Sequence, residues 1–257
     1  MLRRMNEATV QALNALNRAF YAVNADEWQA KRAEPWPGFA RVLEAALARS
    51  GGAPLRVLDV GAGDGRFGEF LCERSVELQY TGVDASAELL ARAAARTLTT
   101  RCKLVHADVV EEPQWLPALG LPPQSLVTLF GVMHHVPSLA LRKQLLATLA
   151  QALAPNALLA VTFWRLHHDA RFSRRVVPFA AYNASAREPI PESEFERGDS
   201  LLGFGEHDGP VRYCHFADDA EIEALVAASG LSVTQRFRSD GRGGALNDYL
   251  LLARHPP

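Results

Sequence analysis

The stretch Leu55-Arg56-Val57-Leu58-Asp59-Val60-Gly61-Ala62-Gly63-Asp64-Gly65 decides the fold. Its first half is a short, nearly continuous apolar run of the kind found in a strand buried on both faces. Its second half places glycine at Gly61, Gly63 and Gly65, where a backbone without Cβ atoms can turn sharply and approach a ligand closely. A dinucleotide turn wants glycine at the third position after Gly63, and that position is Arg66. The phosphate-loop pattern GxxxxGK[ST] does not occur in the chain, which disfavours a nucleotide triphosphatase.

Outward from this turn, apolar runs and helical patterns alternate. LQYTGVD (78–84) leads to a helix over Ala87–Leu98. CKLVHAD (102–108) leads to a proline-rich loop. SLVTLFG (125–131) leads to a helix over Leu139–Leu153, and ALLAVTFW (157–164) follows. This rhythm predicts an α/β fold, a Rossmann-like doubly wound parallel sheet with helices on both faces. Upstream, Val10, Leu13, Leu16, Phe20 and Val23 recur at helical spacing, and Pro37 opens a second helix that Gly51-Gly52 ends. Downstream, prolines and glycines between 165 and 212 predict a long irregular insertion. A helix capped by Asp218 or Asp219 then runs to Ser229, and SVTQRFR and NDYLLLAR form a terminal antiparallel pair joined at Asp240–Gly244. There is no internal repeat. Residues 1–52 are expected to cover the site as a helical segment, with one domain over 53–257 carrying the insertion at about 165–212.

Composition limits the classes. The net charge of −2, with 48% apolar and 22% charged residues, is that of an ordinary globular protein. Bulk charge gives no reason to bind nucleic acid, though a local basic face is compatible with it. Cys72, Cys102 and Cys214 are far apart with no CxxC, which argues against a zinc ribbon or a disulfide framework and fits a reducing, cytoplasmic setting. No run has the length of a membrane span, so no membrane partner is expected. The first residues read as part of a helix rather than as a transit peptide.

The glycine turn, with an acid just before it at Asp59, resembles that of class I S-adenosyl-L-methionine-dependent methyltransferases, whose cofactor has no pyrophosphate. Asp84 ends the second strand about twenty residues on, where an acid accepts hydrogen bonds from ribose hydroxyls. Asp108 ends the third strand. There the resemblance implies an acceptor for the adenine amino group, with Val109 beside the ring. The cofactor-binding set expected is Asp59, Gly61, Ala62, Gly63, Gly65, Asp84, Ala85, Asp108, Val109 and Phe130. Each acid alone reads equally well as a loop residue or a helix cap; three at successive strand ends point together to the cofactor.

The acceptor side follows the fourth strand, at Phe130-Gly131-Val132-Met133-His134-His135-Val136. One histidine packs and the other stands near the cofactor, or both serve the substrate. His135 is the first candidate base if the acceptor is a hydroxyl or an amine. His167-His168-Asp169 has the wrong spacing for a paired metal site on one helix face, and no metal is expected. The segment Phe20-Tyr21 … Lys31-Arg32-Ala33-Glu34-Pro35-Trp36-Pro37 resembles the start of the tRNA wobble-uridine carboxymethyl methyltransferases. So do the His-His turn, Thr162-Phe163-Trp164, Arg212-Tyr213-Cys214-His215-Phe216, and the ending with Asp240 and Asn247. That resemblance implies a carboxylate acceptor on a modified tRNA base, with tRNA and a small zinc-containing activating subunit as partners. A carboxylate is already ionised at neutral pH and needs positioning rather than a base. Arg32 would orient it as a catalytic group, and Arg32, Trp36, His134, Trp164 and Tyr213 would bind the substrate. The chain departs from the pattern in its Gly-Ala-Gly-Asp-Gly loop and in Gly241–Asn247, where the family has a compact Asp-Asn-Trp. Two other readings stand beside it: a small-molecule methyltransferase with 165–212 as a lid over an apolar pocket (Phe163, Phe172, Phe179, Phe204), and a non-catalytic scaffold binding RNA or protein.

Overall fold

The protein is described from a computed structural model, which covers residues 5–30, 34–74, 77–96, 102–168, 170–203 and 210–254. Ten strands and nine helices are seen among them: α1 Glu7–Ala30, α2 Gly38–Ser50, β1 Leu55–Val60, α3 Arg66–Glu73, β2 Leu78–Asp84, α4 Ala87–Ala94, β3 Cys102–His106, α5 Trp115–Ala118, β4 Gln124–Leu129, α6 Leu139–Gln151, β5 Leu153–Trp164, α7 Ala170–Ser173, β6 Val176–Val177, α8 Phe179–Ser185, β7 Asp199–Gly203, β8 Val211–His215, α9 Asp219–Ser229, β9 Ser232–Ser239 and β10 Asn247–Ala253. The main sheet has the order β3-β2-β1-β4-β5-β10-β9. β1 to β5 are parallel, and β10 runs antiparallel to both β5 and β9. This is the expected Rossmann-like doubly wound fold with its terminal antiparallel pair.

Period-two alternation along β1 divides the core. Leu58 and Val60 pack with Val127, Leu129 and Leu159 against Leu145, Leu146 and Leu149 of α6 and Leu225 of α9. Leu55 and Val57 face the other way, with Leu126 and Leu158, onto Phe39 and Val42 of α2 and Phe67, Phe70 and Leu71 of α3. Strand order reverses between β1 and β4, and a crevice opens there at the carboxyl ends of the strands.

The insertion differs from the expectation of an irregular loop. β6, β7 and β8 form a separate antiparallel sheet. Leu201 and Tyr213 from it pack with Ile190 against Met5 and Leu13 on and beside α1. The prolines and glycines that suggest an irregular loop sit at boundaries: Pro178 precedes α8, Pro191 precedes a 3-10 turn, and Gly198 (φ 98°) turns into β7. They punctuate short elements rather than abolish them. α1 runs further than the apolar stripe suggested, and the exposed Val23 lies off its buried face. α4 ends at Ala94 rather than Leu98; residues 97–100 lie outside the described ones. Asp218 is the cap of α9, its side chain accepting from the Glu221 amide.

Candidate active site

A cavity of about 490 Å³ occupies the crevice. Its floor is the turn after β1. Gly61 (φ 74°) is forced: a Cβ there would lie 2.0 Å from the Val132 side chain. At Gly63 (φ 56°) a Cβ would meet no atom within 4 Å and would stand in open space at the cavity wall. Gly65 lies off the cavity and instead lets α3 approach Ala93 of α4, 2.8 Å from where a Cβ would be.

Asp84 is held facing the cavity by two backbone amides, Gly63 N–H to Oδ2 (2.7 Å) and Ser86 N–H to Oδ1 (2.8 Å). Burial pushes its carboxyl above the usual range, against those two bonds. Asp59 lies beneath, accepting from Tyr80 Oη and Thr128 Oγ1, each at 2.6 Å. Full burial raises it to about 6, although both hydroxyls favour its charged form. Ala62, Ala85, Val109 and Phe130 complete the expected wall. Asp108 is more engaged than expected. Oδ1 accepts from the amides of Val110 and Glu111, and Oδ2 from Asn14 (2.9 Å) and Arg18 (2.9 Å) of α1. Its carboxylate therefore clasps the N-terminal helix at the end of the cavity where the adenine was expected.

The other end is framed by α1, by Trp36 and by the turn Met133–His135. Trp36 lies over Gly131, 3.2 Å from a Cβ built there, with the Arg66 guanidinium 5.8 Å from its ring. The segment carrying Trp36 is fixed from far along the chain. Asp240 accepts from Gly38 N–H (3.0 Å), from Asn247 (2.8 Å) and from Tyr249 Oη (2.6 Å). His135 reaches the cavity, with Nδ1 bonded to the Tyr213 carbonyl (2.9 Å) and Nε2 to Tyr21 Oη (2.6 Å). A carbonyl only accepts, so Nδ1 carries a proton, and in the neutral ring Nε2 accepts the Tyr21 hydroxyl.

Three expected substrate residues stand behind this wall. His134 is buried with its ring 4.6 Å from that of Trp164, and Trp164 is itself buried against Phe172. The Tyr213 side chain is buried and donates to Asp199 (2.6 Å). Trp164 lies on the expected strand and His134 on the expected turn, whereas Tyr213 lies on β8, which the sequence reading does not predict; all three side chains point into packing. Arg32, with Lys31 and Ala33, lies outside the described residues. His167 and His168 set their rings edge-on to Phe216. Asn14, Asn17, Arg18 and Tyr21 of α1, and Arg66 after the glycine turn, line the cavity without having been singled out as site residues. Their signal was present: positions 14, 17, 18 and 21 form a polar stripe at helical spacing.

The donors and acceptors fit a cofactor with a ribose and no pyrophosphate. The paired-amide carboxylate of Asp84 suits two hydroxyls, and the bare Gly63 backbone leaves room beside it. Residues 58–159 match a protein-family model described as a methyltransferase domain. No curated protein matches the chain. Similar solved structures include a SAM-dependent methyltransferase from Methanosarcina mazei (TM-score 0.60, 14% identity, covering 85% of this chain and 97% of that one). Others are the magnesium protoporphyrin IX methyltransferase of Synechocystis with bound SAM (0.60, 13%, 94% and 96%) and a glycopeptide N-methyltransferase complexed with SAM (0.54, 17%, 84% and 94%). Among the described residues no helix is long and apolar enough to cross a membrane. Residues 58–159 thus carry a methyltransferase domain, on the fold of the S-adenosylmethionine-dependent methyltransferases.

Proposed function

We propose that this enzyme methylates a hydroxyl group of a small, flat acceptor enclosed between α1, Trp36 and the His134–His135 turn. The observation that carries the reading is the His135 tautomer. With Nδ1–H committed to the Tyr213 carbonyl, Nε2 is the proton-accepting atom on the cavity side. A hydroxyl needs such a group; an ionised carboxylate does not. S-adenosylmethionine supplies an electrophilic methyl when bound. The chain's own part is to hold the cofactor through Asp84 and the glycine turn, to cover it with α1, and to accept the acceptor's proton. The insertion supports the reading as a lid, since it packs an apolar core onto α1. Similar folds serve acceptors as unlike as magnesium protoporphyrin IX and a glycopeptide, so the acceptor is argued from the site and not from the fold.

A second reading, ester formation on a carboxymethyl uridine of tRNA, is favoured by one observation. Trp36, from the Arg-x-x-Pro-Trp-Pro stretch, borders the cavity with Tyr21. One experiment separates the two. The enzyme is given labelled SAM with a panel of phenols and catechols and, in parallel, with bulk tRNA, and products are treated with mild base. Base-stable label on a small phenol supports the hydroxyl reading. Base-labile label in tRNA overturns it in favour of the second. In the first case His135→Ala should lower turnover by roughly 10²–10⁴-fold while S-adenosylhomocysteine binding stays within a few-fold.

A further inference from the structure

Behind the cavity wall lies a group that neither the cofactor nor the lid explains. Arg212, on β8, is almost wholly buried at 5% exposure. Its Nη1 donates to Tyr21 Oη at 3.2 Å, and its guanidinium lies 4.8 Å from the Phe20 ring and 5.1 Å from that of Trp164. Tyr21 donates to His135 Nε2, and His135 Nδ1–H is tied to the carbonyl of Tyr213, the residue next to Arg212. The three side chains thus form one line across three elements: Arg212 on β8, Tyr21 on α1, and His135 on the turn after β4. Tyr21 and His135 border the cavity; Arg212 stands behind them.

We infer that Tyr21, held between the Arg212 cation and the His135 imidazole, is the group that takes the acceptor's proton and relays it to His135. The inference rests on the hydroxyl-acceptor reading and deepens it. As the acceptor oxygen bonds to the methyl carbon, the methyl–sulfur bond breaks and its electron pair stays on sulfur. The acceptor's proton moves to Tyr21 Oη while the Tyr21 proton moves to His135 Nε2. The positive charge that leaves sulfur therefore ends on the imidazole, and Tyr21 is restored to a neutral phenol. Arg212 is a positioning residue. It fixes the tyrosine oxygen and stabilises the negative charge that develops there, and its own charge is spread over two aromatic faces in a site nearly closed to water. Among the described residues, His135 on the turn and Arg212 on β8 contact Tyr21, His134 lies beside His135, and Arg18 stands one turn back on the same face of α1.

The arrangement is testable without knowing the acceptor. The chain has five tyrosines, Tyr21, Tyr80, Tyr182, Tyr213 and Tyr249. Burial pushes the phenols of Tyr80, Tyr182, Tyr213 and Tyr249 upward. A cation next to Tyr21 acts the other way. Phenolate absorbance near 295 nm is followed with rising pH in the wild-type protein, Tyr21→Phe, Arg212→Met and Arg212→Lys. S-adenosylhomocysteine binding checks each fold. Tyr21 is expected to be the first phenol to ionise, so Tyr21→Phe should abolish the earliest phase. Arg212→Met should delay that phase by about one pH unit or more, and Arg212→Lys, which keeps the charge, should restore part of it. A first phase that survives in Tyr21→Phe, or that Arg212→Met leaves unmoved in a protein that still binds the ligand, overturns the relay. Should Arg212→Met fail to fold, Arg212→Lys against Tyr21→Phe decides alone. Methylation of tRNA but not of phenols would instead sink the hydroxyl reading and leave this titration as it is.

Discussion

At the scale of single residues, Asp59 is the most exposed to a direct test. Its carboxylate is buried and shared between Tyr80 and Thr128, yet it is raised to about 6 from an ordinary value of 3.8. Desolvation outweighs two good hydrogen bonds. A group whose folded pKa lies above its unfolded one binds more protons in the folded state across the interval between them, so stability falls as pH rises from about 4 to about 6 and is flat beyond. Roughly two pH units correspond to about 3 kcal/mol. Asp59→Asn has no charge to bury. Relative to wild type it should gain stability on going from pH 4.5 to pH 7, by 1–3 kcal/mol in urea unfolding (an order-of-magnitude span from the same conversion). A wild-type-to-variant gap that is the same at both pH values would show that burial does not perturb Asp59. The residue scale is also where sequence reading was uneven. Asp84 and the glycine turn were legible because their backbone geometry demands particular residues. Trp164 falls on the expected strand and Tyr213 on β8, a strand too short to show in the sequence pattern; an aromatic reads alike whether it lines a cavity or fills a core, and here both fill packing.

Among elements, α1 carries the most function for its length. Four of its polar residues reach the cavity, and they hold the helix in two different ways. Arg18 pairs with Asp108 (2.9 Å) and Glu111 (2.6 Å) at a partly exposed edge, where ion pairs are screened and contribute little. Asn17 is buried, accepting from the Tyr213 amide (2.9 Å) and donating to the His135 carbonyl (3.2 Å). The two substitutions should therefore separate. Arg18→Ala is expected to change global stability by less than about 1 kcal/mol, yet to speed S-adenosylhomocysteine release several-fold in stopped flow, because the clasp at Asp108 loosens. High salt should mimic it. Asn17→Ala strands a buried amide and should cost about 1–3 kcal/mol of stability. Equal release rates for wild type and Arg18→Ala would mean that α1 does not gate the cofactor. The helix itself was legible from its apolar stripe. Its polar stripe was overlooked because asparagine and arginine on a helix face usually mean solvent, and only the tertiary fold turns that face inward.

For the whole molecule, the question is how the insertion stays attached to the sheet domain. Sequence rhythm predicted the domain well, since a parallel sheet advertises itself in apolar runs, but read the insertion as loop because strands of two to five residues carry too little pattern. The attachment is a buried charge cluster. Arg142 of α6, with no exposed surface, donates to Glu196 (2.6 Å), to Glu221 of α9 (2.7 Å) and to the Val136 carbonyl (3.0 Å). His215 of β8 lies between Asp199 (2.6 Å) and Glu221 (2.8 Å), and those two hydrogen bonds raise it against a large desolvation effect that lowers it. Removing one member of such a cluster leaves uncompensated charge in a dry site, and Arg142→Met should cost about 3–5 kcal/mol. The loss should not be spread evenly. Glu196, Asp199 and His215 belong to the insertion and its flank, and the insertion's core includes Leu13 of α1. Detaching it uncovers the helix that closes the cavity, while the leucine core of the main sheet is untouched. In Arg142→Met, ligand binding and protease resistance of residues 170–203 should be lost at lower urea than the far-ultraviolet signal of the sheet domain. If all three are lost together at one midpoint, the lid and the domain are a single cooperative unit, and the charge cluster stabilises the whole fold rather than the closure of the site.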